Sequence, residues 1–210
     1  GGQPVNILHD FYIPVLKRSV AYDRVAGYFR SSSLAAASQG FSAFTQACGK
    51  MRLIVGADMA QDDVAAILQG DDKRMAERLN SELESPGAWP EDVRRGVELL
   101  CWIVAHGCLE VRVAFRIHKE TGAPLPFHSR EDGYVHEKWG IFADAEGNRL
   151  YMVGSLNESQ QALVHNAENI NVHADWWGRN DQQRIEEAAL SFENLWQNEN
   201  PHIRVLTLPE

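Results

Sequence analysis

The sequence predicts an α/β sandwich, a mixed and mostly parallel β-sheet with helices on both faces. Three observations predict it. Short apolar or alternating runs recur between helix-length amphipathic stretches along the 210 residues, the interleaving expected of layered α/β domains. Residues 24–55 read as strand, helix, parallel strand, because two short apolar runs flank an Ala-rich stretch. A hydrophobic content of 44% in a chain of this length supports one substantial core, so residues 1–210 are read as one domain.

From 5 to 20, Ile7, Leu8, Phe11, Tyr12, Val15 and Leu16 recur at three- and four-residue intervals. That spacing predicts an amphipathic helix over the sheet, with Pro14 as a kink. Residues 24–29 suit a buried strand. Ser31, Ser32 and Ser33 offer N-cap hydroxyls to a helix at 34–47, Gly49 ends it, and 51–55 is the second strand. Helices at 62–68, 72–83 and 91–106 follow. The last is apolar nearly all round over 97–105, which places it in the core, and Gly107 stops it. Residues 109–115 alternate as a strand.

The segment 116–133 is long for a loop in a compact domain, and such loops are more often functional than decorative. It carries His118, Lys119, His128 and Arg130 towards the next strand. Residues 135–157 then form a hairpin, with turn formers over 143–148 and a return strand at 149–153. A short helix at 158–163, an alternating strand at 167–173, a turn holding Trp176 and Trp177, and a helix at 181–196 complete the chain. In that helix Ile185, Ala189, Phe192 and Trp196 share one face.

Charge limits the partners. With 20 Lys+Arg against 29 Asp+Glu the net charge is −9, so any hold on a polyanion is local rather than through the overall field. Cys48, Cys101 and Cys108 have no metal-ligand spacing; they fit buried thiols in a reducing, cytoplasmic setting. No apolar run reaches the roughly 18 residues that span a bilayer, which argues against a membrane partner. Gly1-Gly2 and the closing 207–210 fit a domain taken from a longer protein.

The chemistry concentrates in 135–157. Strand side chains alternate, so His136 and Lys138 share a face while Glu137 and Trp139 point the other way. The hairpin brings Ser155 and Asn157 back beside them. A nucleophile or acid, a cation and two neutral donors then share one site. Histidine, with an ordinary pKa near roughly 6.5, serves as nucleophile or acid. No carboxylate cluster is spaced to bind a metal, and neither metal nor cofactor is expected.

This pattern, His136-x-Lys138 followed by Gly154-Ser155-x-Asn157, resembles the signature of the phospholipase D superfamily. The resemblance extends to element order across most of the chain, and to residues only within 135–172. It implies that superfamily's α-β-α fold, a phosphohistidine mechanism, and a charge-balancing role for Glu168 beside the imidazole. It also implies two His-x-Lys motifs facing each other, and this chain has one. Single-motif members build the site between two copies, so a homodimer with its active site at the interface is expected. The wording of the motif is similar to versions fused to helicases and restriction or phage-defence proteins, which favours a nuclease acting on DNA.

One position departs from the pattern. The superfamily has an aspartate five residues after the lysine, and here Ala143 stands there with Asp144 next. Asp144 replaces it only if a bulge shifts the strand register. Two alternatives stay open: a catalytically weak dimerisation or DNA-binding module of a helicase, and a hydrolase of phospholipids or small phosphodiesters. His118, Lys119, His128 and Arg130 are weaker candidates for substrate contact. His165 and His173 read as surface residues; Trp139, Trp176 and Trp177 are candidates for stacking on bases, with core or interface packing the default reading and packing favoured for Trp139.

Overall fold

The computed structural model describes residues 7–26, 41–56, 102–103, 105–123, 125, 138–154 and 170–207. Among these residues seven strands form one mixed sheet: β1 (Ser19–Ala26), β2 (Lys50–Gly56), β3 (Leu109–Arg116), β4 (Lys138–Asp144), β5 (Arg149–Gly154), β6 (Ile170–Ala174) and β7 (Ile203–Thr207). Their order is β6-β5-β4-β1-β2-β3-β7. Only β1–β2 and β2–β3 pair in parallel; the other four pairings are antiparallel. The sheet is therefore less parallel than the sequence predicts. The 144–149 turn is far too short for a crossover and returns β5 antiparallel.

Helices cover both faces. On the first, Tyr12, Leu16, Phe41, Phe44 and Ile103 pack with Tyr22, Leu53, Phe142 and Met152. Tyr22 stacks on Phe142 with ring centroids 4.1 Å apart. On the second face α3 (Arg179–Trp196) buries Ile185, Ala188, Phe192, Leu195 and Trp196 against Val25, Ile54, Trp139 and Ile141. Trp139 thus packs on the face away from Tyr22, as alternation predicts.

Several boundaries differ from the sequence reading. The first helix is a π-turn at Ile7–Tyr12 followed by α1 (Ile13–Arg18), and β1 begins at Ser19 rather than Arg24. Its apolar spacing continues through Tyr22, so period alone hides the junction; Ser19 Oγ marks it by donating to the Val15 carbonyl at 2.8 Å. The second helix is described as α2 (Phe41–Gln46). Cys48, not Gly49, holds the left-handed backbone that ends it, at φ 56°. Its N–H donates to Thr45 O and that of Gly49 to Phe44 O, closing the last turn.

Cys48 is exposed at that turn and Cys108 is half-buried, against the expectation of buried thiols; Cys101 lies outside the described residues. Gly49 serves a different need, since a Cβ there would stand 2.7 Å from the Phe44 ring. Gly107 follows the helical residues of 102–105 with φ 65°, as predicted; of the described residues of that helix, read as a core helix, Ile103 is buried while Trp102 and Ala105 are exposed. The closing strand β7 was not anticipated; it pairs with β3 from Arg116↔Ile203 to Arg112↔Thr207. The predicted helices at 62–68, 72–83 and 158–163 lie outside the described residues.

Candidate functional site

Strand direction and register define one edge. The C-terminal ends of β1, β2, β3 and β5 meet the N-terminal ends of β4, β6 and β7 along it. In open α/β sheets this is the edge outside which ligands bind. Lys138 opens β4 there, paired with Gly154, and Gly154 pairs in turn with Ile170 of β6.

Lys138 shares its face with Gly140 and Phe142, the face of the first core. It is half-buried. Its row on that face continues into Gly154 on one side and Ala26, next after the Val25 that pairs with Trp139, on the other. One row deeper stand Leu53, Arg24, Gly140 and Met152. Arg24 is fully buried; the sequence reading absorbed it into an apolar strand, although a charge inside such a run was the visible signal.

His136, Ser155, Asn157, Glu168, His128 and Arg130 lie outside the described residues, as does His165. What the structure gives for them is the ends that flank them. Lys138 follows His136 by two residues, Gly154 directly precedes Ser155, and Ile170 follows Glu168 by two. Those three ends are adjacent in the sheet.

His118 and Lys119 stand elsewhere along the same edge, just after β3. Three strand spacings separate β3 from β4, about 14 Å. The His118 ring is used locally: its Nδ1 accepts from the N–H groups of Glu120 and Thr121, each at 3.3 Å. Lys119 is exposed.

Asp144 is at the far end of β4, about 20 Å from Lys138 at strand rise. The register irregularity beside it falls in β1, between Ser19 and Ala21, so β4 is not shifted and Asp144 does not take the place of Ala143. Its carboxylate builds the hairpin turn instead. Oδ1 accepts from Glu146 N at 3.0 Å and Asn148 N at 2.8 Å, and Oδ2 from Asn148 Nδ2 at 2.8 Å. The Asn148 side-chain amide foremost, with the backbone N–H groups, holds this carboxyl below the usual carboxylate range. A cavity of about 360 Å³ lies at this end, against Arg18, Phe142, Asn148 and Trp176.

Two other sequence readings change. His173 is not a free surface residue: Nδ1 pairs with Asp181 Oδ1 at 2.7 Å and its ring stacks on Tyr151. Trp176 and Trp177, read by default as packing residues, are exposed, because the short 3₁₀ turn at Asp175–Trp177 lifts them off the sheet. Among the described residues no three His, Cys, Asp or Glu side chains gather as metal ligands would, and no helix is long and apolar enough to cross a membrane.

No family model matches the sequence, and no curated protein does. Among solved structures the chain is similar to NucT from Helicobacter pylori, at 11% identity and a TM-score of 0.49, over 92% of this chain and 87% of that one.

Proposed function

We propose that this chain is a phosphodiesterase of the phospholipase D type that cleaves DNA through a phosphohistidine, without a divalent metal. The observation that supports it is the register Lys138–Gly154–Ile170, three adjacent strand ends that the sequence continues into His136, Ser155 and Glu168. In this reading His136 attacks phosphorus and the bond to the leaving oxygen breaks. That oxygen takes its proton from the partner's His136. Water then attacks the phosphohistidine, giving its proton to the same partner imidazole, and the P–N bond breaks. Lys138, Ser155 and Asn157 donate to the phosphoryl oxygens, and Glu168 orients the imidazole. A homodimer completes the site, and a helicase or defence protein is the expected associate.

Cleavage of single- or double-stranded DNA by the purified protein in excess EDTA tests this. Activity should persist in chelator and fall by roughly a thousandfold or more in His136→Ala. Activity abolished by EDTA would reject the mechanism. A second reading, a binding module with little turnover, is favoured by the commitment of Asp144 to the hairpin turn. Retained DNA affinity with no product would select it.

A further inference from the structure

A cavity of about 360 Å³ opens at the end of the sheet away from Lys138, a volume within the range of small-molecule sites. Three parts of the chain build it. Phe11, Val15 and Arg18 follow one another at four and three residues, so they share one side of the first helical segment. The β4–β5 register sets Phe142 beside Leu150 as a second apolar wall. Leu150 pairs with Ala174, and two residues further on the chain places Trp176 at the mouth.

Trp176 is 62% exposed, yet its support is braced. The Asp175 carboxylate accepts from the Arg149 backbone N–H at 3.0 Å and from its Nε at 3.1 Å, and Gln182 Nε2 donates to the Asp175 carbonyl at 2.9 Å. An indole left in water on a braced turn, beside an apolar cavity, is a ready surface for stacking a flat ring.

The polar groups of the lining divide into used and unused. Both oxygens of Asp144 accept within the hairpin turn, and Asp10 has a partner of its own. Asn148 uses its Nδ2 on Asp144, which leaves Oδ1 as an acceptor. Arg18 is exposed and forms no ion pair among the described residues. The lining therefore offers a cation in one place and, in another, an acceptor with a carboxylate behind it. A matching ligand has an anionic end, a flat body and an N–H donor; an anion without the donor would meet only the opposing field of the two aspartates.

We propose that this cavity binds a nucleoside monophosphate: the base stacks on Trp176 and donates its exocyclic amino group to Asn148 Oδ1, and the phosphate meets Arg18. The site stands about 20 Å from Lys138 along β4, separate from the centre proposed above. Its chemistry does not depend on that reading; the choice of a nucleotide over another aromatic anion rests on it.

The test is calorimetric titration of the full chain with deoxyadenosine monophosphate in EDTA, with the unfolding temperature of each variant measured alongside. Trp176→Ala should weaken binding roughly tenfold, the scale of one base–aromatic stack. Arg18→Gln should weaken deoxyadenosine monophosphate roughly tenfold and leave deoxyadenosine within about twofold, a split that general loss of structure would not produce. Thymidine monophosphate, which lacks the amino group, should bind about fivefold more weakly. Absence of saturation by about 10 mM overturns the proposal. So does tighter binding of free tryptophan, which would make this an amino-acid site, or equal loss of both adenosine ligands in Arg18→Gln. Nucleotide binding that survives both variants and disappears in Lys138→Met belongs to the β4 edge and also overturns it. Deoxyadenosine monophosphate bound as predicted by a chain that cuts no DNA supports the cavity and rejects the phosphodiesterase reading alone.

Discussion

Arg52 joins the second-face helix to the sheet through one side chain. Its Nε and Nη2 donate to the two oxygens of Asp23, each at 2.7 Å, and Nη2 also meets Glu193 of α3 at 2.6 Å. The guanidinium lies 4.8 Å from the Phe192 centroid and 5.4 Å from that of Trp196. The Asp23 hydrogen bonds, ahead of Glu193, push its pKa further up. A raised basic group stabilises the fold below its unfolded pKa, so this contribution holds through neutral pH and is lost only in strong alkali. Arg52→Met removes a forked ion pair that is still partly wet, so we expect a loss of about 1–2 kcal/mol in urea unfolding. Gly140→Ala should do more. Its Cβ would meet backbone, Asp23 O at 3.1 Å, as well as the Tyr22 ring. Since that carbonyl cannot swing aside, we expect a loss of roughly 2 kcal/mol or more by the same measurement.

At the scale of elements, the β4–β5 hairpin carries a pH-sensitive turn. Asp144 is held below its ordinary value, so its contribution is present above the unfolded carboxylate pKa and fades as pH falls through the folded one. Protection of the Glu146 and Asn148 amides, the observed exchange rate set against the intrinsic rate at the same pH, should fall on acidification, and Asp144→Ala should show that loss of protection already at neutral pH. For α3, Phe192→Ala should cost about 3–5 kcal/mol, because its ring is fully buried between Trp139 and Trp196. These two elements were also the most legible in the sequence. Helix α3 is buried on one side only, so its period shows, whereas the hairpin, with Phe142 in one core and Trp139 and Ile141 in the other, shows through the turn formers between its strands. The β1 start was not legible, because Leu16, Ser19 and Tyr22 keep helical spacing across a helix–strand junction. The five-residue β7 was missed for want of length. At the site, motif residues could be read but Arg24 could not be placed: alternation gives a face, and only register gives a neighbour.

The whole molecule tests the assembly on which the mechanism depends. Light scattering should return the mass of two chains. Mixing wild type with an equal amount of His136→Ala, after subunit exchange, should leave roughly a quarter of the activity of wild type alone at the same total chain concentration, since only pure wild-type pairs hold two histidines. Activity falling to half would place a complete site in each chain. The strand order also sets a timetable for synthesis. β1 waits beside β2 for an antiparallel neighbour that arrives only with Lys138–Asp144, and β3 waits for Ile203–Thr207. Pairings of such long sequence separation form slowly. A chain emerging from the ribosome therefore leaves one flank of β1 open until the hairpin emerges, and the edge that bears Lys138 is among the last parts to come into being. Factors that shield nascent apolar strands should matter for its yield well before any question of turnover arises.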